Sequence, residues 1–354
     1  MSNITTNSTS IIVGEDQTQL IALVNLLNKT ISQYGLGLIW FVGNIGSILN
    51  CIVFSQPTYG KSPCAMHFLA SSVAQFFTFN FALLTRLLQY GYGIQGTNIY
   101  VWFCKVRFYL FYIFVAVPRY NIVMASVDRY FASSRSALRR QWSSSKIATR
   151  LIIGNIIVWC IIYVQVLIFY DITNGSCSYG SGAYGIFFSI YISIDSGILP
   201  LLLMLIFGLL TVNNIHKTRK RIDVAPTGDP SRPAQAAKMS KKDIQLHRML
   251  ANQICLFIIL NMPNPCYLVY RSFTITLVKS PFRRATETFL SNMTYALIHL
   301  GFSLTFANFF ISSDIYRREF LQVIRIKILR QTSASTATEG GTTVKAVRQN
   351  GGNG

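Results

Sequence analysis

Apolar residues in this chain run on for the thickness of a bilayer instead of alternating with polar ones. Crossing hydrocarbon as a helix takes roughly 20 mainly apolar residues. Seven stretches meet that length, at about 34–55, 64–89, 101–130, 147–170, 183–213, 249–273 and 287–312. The second is the most polar, with Ser71, Ser72, Gln75, Asn80 and Arg86; its Ser, Gln and Asn are tolerated where one membrane helix faces another. Strands of a membrane barrel would be about half as long. The lengths therefore predict an all-α membrane fold, a bundle of seven transmembrane helices joined by mostly short loops.

Composition agrees. Of 354 residues, 51% are hydrophobic and only 12% charged, so lipid is the solvent for most of the chain. The formal net charge of +20 is unevenly placed. Lys61, six basic residues from Arg129 to Arg150, nine from Lys217 to Arg248 and seven from Arg317 to Arg348 make 23 of the 32 Lys and Arg. Basic loops stay in the cytoplasm. This asymmetry puts residues 1–33 outside the cell, as an extracellular tail with one Lys, two acids and glycosylation sequons at Asn3, Asn7 and Asn28. A fourth sequon, at Asn174, falls on the same face, while that at Asn292 sits too close to the membrane to be used. No cleavable signal is apparent near Met1, so the first helix directs insertion, with the N-terminus outside and the plasma membrane as destination. The basic excess belongs to a cytoplasmic face meeting anionic lipid and acidic proteins, not to a nucleic-acid binder. Residues 214–247 contain Ala225-Pro226-Thr227-Gly228-Asp229-Pro230, a flexible cap between the fifth and sixth helices.

Two of the seven cysteines, Cys104 and Cys177, fall at the outer face, where oxidising conditions allow a disulfide tying the loop after helix 4 to the top of helix 3; the alternative is two free thiols. At the other end of helix 3 stands Asp128-Arg129-Tyr130. A charge at that depth can be simple snorkelling, but Asp243 lies just before helix 6 on the same membrane face. An arginine fork reaching both Asp128 and Asp243 would hold helices 3 and 6 together until something separates them.

Several residues, in the right helices and order, resemble landmarks of the class A (rhodopsin-like) G-protein-coupled receptors. They are Asn44 after Gly43, Cys104 with Cys177, Asp128-Arg129-Tyr130, Trp159, Pro200, and Phe257 six residues before Pro263. After helix 7, Tyr316-Arg317-Arg318-Glu319-Phe320 resembles the start of that family's short amphipathic helix 8, placed at 313–330, with 331–354 a disordered cytoplasmic tail. Other positions depart from the family. Val73 stands where it keeps an acid in helix 2, and its Asn-Pro-x-x-Tyr reads Thr305-Phe306-Ala307-Asn308-Phe309, which implies that the sodium site is lost. The pattern is similar to divergent invertebrate orphan receptors with some likeness to neuropeptide receptors. The resemblance puts Phe111, Asn261 and His299 around the ligand pocket. Phe111 in place of an aspartate argues against simple amines, and His299 in place of a lysine argues against retinal.

Arg119 and Asp195 lie inside helices 3 and 5, and intramembrane charges tend to pair. They are expected to form a buried ion pair. Arg86, Lys105, Arg107, Arg271, Lys279, Arg283 and Arg284 make the outer mouth basic, suited to an acidic or C-terminally carboxylated ligand or to lipid headgroups. The Ser- and Thr-rich stretch 332–343 suits phosphorylation and arrestin. The sequence thus reads as a receptor for an extracellular ligand, a peptide by preference, that activates a heterotrimeric G protein by opening helix 6 away from Arg129. A seven-helix transporter or channel is the alternative, and the helices offer it few ionisable groups and no paired halves. The four His residues show no metal or catalytic spacing, so neither an enzyme nor a cofactor is expected.

Overall fold

A computed structural model describes residues 3–173, 175–180, 182–224 and 241–339. Among these residues seven helices are long and apolar enough to cross a membrane: α1 (Asp16–Phe54), α2 (Pro63–Tyr92), α3 (Val101–Ala132), α4 (Ser145–Phe169), α5 (Ala183–Lys217), α6 (Lys242–Thr274) and α7 (Pro281–Ser312). An eighth, α8, spans Asp314–Glu339. The membrane bundle read from run lengths is therefore the observed fold. Large apolar side chains such as Leu38, Phe41, Ile153, Ile161, Leu209 and Ile259 point outward, as lipid-facing positions do.

The ends differ from expectation in two places. The first helix begins well before 34, because Asn28 and Ser32 give its polar stretch a partner: Asn292 of α7 donates to the Oδ1 of one and the Oγ of the other, at 2.8 and 2.7 Å. At the other end α8 continues to Glu339, beyond the expected 330.

Helix α3 is the most buried of the seven and packs against α2, α4 and α5. Pro118 interrupts it. A proline lacks the N–H that would bond the carbonyl four residues earlier, and the orphaned carbonyl of Phe114 is met by Thr78 Oγ1 from α2. Thr78 itself opens one of three π-helical turns among the described residues, Thr78–Leu83; the others are Ile31–Gly35 in α1 and Ile194–Ile198 in α5. The α5 turn ends just before Pro200, and there Gly197 meets α6 so closely that an added Cβ would lie 2.3 Å from Pro265. Gly43 in α1 likewise leaves room for the Phe79 ring of α2. In α6 the regular helix stops at Asn261 and restarts at Pro263.

Between α4 and α5 a short hairpin of β1 (Asp171–Thr173) and β2 (Ser176–Ser178) pairs antiparallel, Ile172 opposite Cys177. Gly175 takes the left-handed backbone its turn needs, at φ 72°. A disulfide joins Cys177 to Cys104 at the start of α3, and Asn98 Oδ1 accepts from the Cys177 amide at 3.0 Å. The hairpin is thus fixed at one end of the bundle, opposite to Asp128-Arg129-Tyr130.

Candidate functional site

At the end away from the disulfide, Arg129 is buried and forks between two acids. Its Nε and Nη2 donate to Asp128 Oδ2 at 3.1 and 2.7 Å, and its Nη1 to Asp243 Oδ1 of α6 at 2.8 Å. Asp128 is shielded and Asp243 half-open, with side-chain exposures of 7% and 41%. Ser143, in the turn before α4, adds a 2.6 Å donor to Asp128 Oδ1. The sequence pattern had no signal for Ser143, because only the fold of the 133–144 loop brings it there. Tyr130 lies apart from this fork, against Phe207 of α5 at 5.7 Å. The fork expected from the sequence is present, and it ties α3 to α6.

A second set of polar contacts holds the same end of α6 to α7 and α8. Asn308 Nδ2 donates to Gln253 Oε1 at 2.7 Å, Asn252 Nδ2 to Ser312 Oγ at 2.7 Å, and Ser313 Oγ and the Ile315 amide to Gln245 Oε1 at 2.7 and 2.8 Å. Gln245, Asn252 and Gln253 recur at helical spacing along one face, a signal that was available in the sequence. Below them Phe309 is fully buried against Phe68, Phe54 and Tyr316, with ring centroids 4.8, 5.4 and 6.1 Å apart. It stands where the family resemblance expects a tyrosine, and it offers no hydroxyl. The hydroxyl comes instead from Tyr316 of α8, which donates to Asn50 of α1 at 2.5 Å. Burial pushes the Tyr59 and Tyr316 phenols up from their ordinary range, so both stay protonated.

In the middle of the bundle the expected pair is not made. No ion pair joins Arg119 to Asp195 among the described residues, because two tyrosines take the carboxylate first. Tyr120 OH donates to Oδ1 at 2.9 Å and Tyr163 OH to Oδ2, with Trp159 packed against both rings, centroids 4.5 and 5.6 Å away. Arg119 is left fully buried, its Nε and Nη2 without partners and its Cζ 5.7 Å from the Phe257 ring. It lies between two small cavities. One is lined by Gln75, Phe257 and Asn261, the other by Phe111, Tyr163, Ser196 and Tyr295. Gln75, not Val73, is the residue of α2 that faces this interior, since Val73 is exposed on the outer face.

The three proposed pocket residues are not brought to one cavity. Phe111 and Asn261 line different ones. His299 is wholly buried in neither lining, its Nδ1 bonded to the Tyr295 carbonyl at 2.7 Å. Asn44 donates to the Trp40 carbonyl and accepts from Asn80 at 2.6 Å. Of the sequons, Asn28 is engaged with α7, a placement that does not favour a glycan; Asn174 and the side chains of Asn3 and Asn7 lie outside the described residues.

Toward the disulfide end, aromatic and basic side chains alternate. Arg86 Cζ lies 4.2 Å from the Tyr295 ring, Arg107 Cζ 4.4 Å from Phe108, and Arg271 Cζ 4.9 Å from Tyr179. Glu287 at the rim of α7 is held by Lys279 at 2.5 Å and Arg283 at 3.0 Å.

The arrangement is a helical bundle with a disulfide-tied hairpin at one end and a charge fork between two helices at the other. A comparison with individually characterised proteins finds no match. The family model for the seven-transmembrane receptors of the rhodopsin family matches residues 76–311, from the middle of α2 to the end of α7 and so across the helices carrying the disulfide, the fork and both cavities. With seven membrane-length helices and that match over two-thirds of its length, the chain belongs to the rhodopsin family of seven-transmembrane receptors.

Proposed function

We propose that this receptor lies in the plasma membrane with its disulfide end outside. There it binds an extracellular ligand, a peptide by preference, and activates a heterotrimeric G protein at the Arg129 end. The observation that carries this reading is the Arg129 fork. One guanidinium bonded to acids on both α3 and α6 is a contact that must break if the two helices part, and parting them opens a cavity at the basic face. A ligand can drive that opening only by binding the open state more tightly, and the G protein must then tighten ligand binding by the same factor.

The basic stretches at Arg139-Arg140 and Lys217–Arg221 suit both anionic lipid and an acidic G-protein surface. The hairpin held by Cys104 and the aromatic, basic mouth suit a peptide, and the Ser/Thr-rich 332–343 stretch suits arrestin after phosphorylation. Asn3, Asn7 and Asn174 remain the glycan acceptors of this topology.

The test is a panel of peptides and small metabolites applied to cells expressing the full chain, reading G-protein dissociation. A response that Arg129→Ala abolishes at equal surface expression supports the reading; one that survives Arg129→Ala refutes the mechanism.

A further inference from the structure

Arg86, Arg107 and Arg271 pose a problem that the fork does not. Arg86 and Arg107 are each 6% exposed and Arg271 is half-buried, yet none forms an ion pair among the described residues. Among the described side chains the acids of this end are spent or exposed: Glu287 is held by Lys279 and Arg283, and Asp16 and Asp171 are exposed. Asp195, deeper in the bundle, is taken by Tyr120 and Tyr163.

One buried donor among the three arginines is left unused, on Arg107. Arg86 gives only its Nε, to Asn292 at 2.9 Å; Arg107 gives its Nε to Thr85 at 3.0 Å and keeps a buried Nη2 without a partner. The rings of Tyr295, Phe108 and Tyr179 offset part of the charge by lying against the guanidinium groups, but a ring face accepts no N–H fork. Arg86 and Arg107 belong to one locality, since Tyr295 touches both Arg86 and Phe111, and Phe111 lies 5.6 Å from the Arg107 Cζ; Arg271 joins it through Tyr179, whose ring meets Tyr170, which lies against the Phe108 ring under Arg107. Tyr295 and Phe111 also line the cavity that leads down to Arg119. Buried like charges with an idle donor are costly unless an anion joins them.

We infer that the mouth is a carboxylate site, in which Arg86, Arg107 and Arg271 receive an anionic group of the ligand beside Tyr295. A planar carboxylate accepts two parallel N–H bonds from a guanidinium, which an ammonium or a neutral amide cannot match. The inference rests on the reading that ligand enters at the disulfide end, and it names the chemistry that is recognised there. A peptide's free carboxyl terminus and a small dicarboxylate both carry that chemistry.

The test reads thermal unfolding of the purified full chain in detergent, so it does not depend on G-protein coupling. The probes are a tetrapeptide library with free carboxyl termini, the same library amidated, succinate, succinamide and inorganic phosphate, all at matched ionic strength. A rise in Tm with the free-acid library or with succinate, absent with their amides and lost in Arg107→Gln, supports the site, and which of the two acts tells peptide from metabolite. Arg107→Gln without any probe is expected to unfold at a higher temperature than the parent, because it removes repulsion from Arg86; Arg107→Lys is expected to keep part of the ligand shift. Equal shifts from acid and amide, no shift from any carboxylate, a shift from phosphate alone, or a lower unliganded Tm for Arg107→Gln overturns the inference.

Discussion

Replacing Asp243 by Asn removes one negative charge from the Arg129 fork while keeping side-chain volume. In the closed state that charge accepts the Arg129 Nη1 at 2.8 Å. A hydrogen bond to a charged group is worth about 1.5–3 kcal/mol when shielded, but Asp243 is 41% exposed, and exposed pairs fall toward about 0–1 kcal/mol. A working figure of about 1 kcal/mol shifts the closed-to-open equilibrium by roughly fivefold. Purified receptor carrying Asp243→Asn should therefore catalyse basal nucleotide exchange on a G protein about fivefold faster than the parent. Salt should narrow the gap, because it screens the partly exposed pair in the parent and has nothing to screen in the variant. Asp128→Asn strips a buried partner that makes two bonds to the arginine and accepts from Ser143, so it should also destabilise the fold, by about 3 kcal/mol. Unchanged basal exchange in Asp243→Asn, with receptor intact and at equal amount, would refute the reasoning.

Other perturbations probe the packing around the fork. Gly197→Val should lower the unfolding temperature, at a cost of about 1–3 kcal/mol, since its Cβ would meet Pro265; a neutral result in a thermal-shift assay would mean that α5 and α6 are not so close. Gln253→Ala leaves Asn308 without its 2.7 Å acceptor and should loosen α6 from α7 by about 1 kcal/mol, seen as raised basal exchange that adds to Asp243→Asn because the two positions bond different partners and lie about 15 Å apart along α6. Tyr163→Phe takes one of the two phenolic donors from buried Asp195 and should cost about 1–3 kcal/mol of stability; the double variant with Asp195→Asn should recover most of it.

The sequence carried the bundle because membrane length is a local property, written in each apolar run. Helix ends were less legible. The polar stretch before Tyr34 reads as a tail until Asn292 of α7 is placed beside Asn28 and Ser32. The Arg129 fork was legible because both acids bracket helix ends on one membrane face. The Arg119 and Asp195 pairing failed for a physical reason: charge complementarity ranks a partner across the bundle, whereas Tyr120 in α3 and Tyr163 in α4 deliver hydroxyls directly to the carboxylate. In helix 2 the resemblance put the acid's place at Val73, which looks outward, while Ser71, Ser72 and Gln75 face the interior. The idle arginines of the mouth became visible only when Glu287 was seen bound to Lys279 and Arg283.

The central claim is that α6 leaves Arg129 when the receptor signals. Its most direct test is the distance between the loop that follows α3 and the start of α6, measured by pulsed electron spin resonance between labels at Leu138→Cys and Ile244→Cys, both exposed, in a chain whose exposed Cys255 and Cys266 are changed to Ser. The account predicts a single short distance in the isolated receptor, a longer second population when nucleotide-free G protein is added, and a larger share of that population in Asp243→Asn. A distance distribution that G protein and Asp243→Asn both leave unchanged would contradict it.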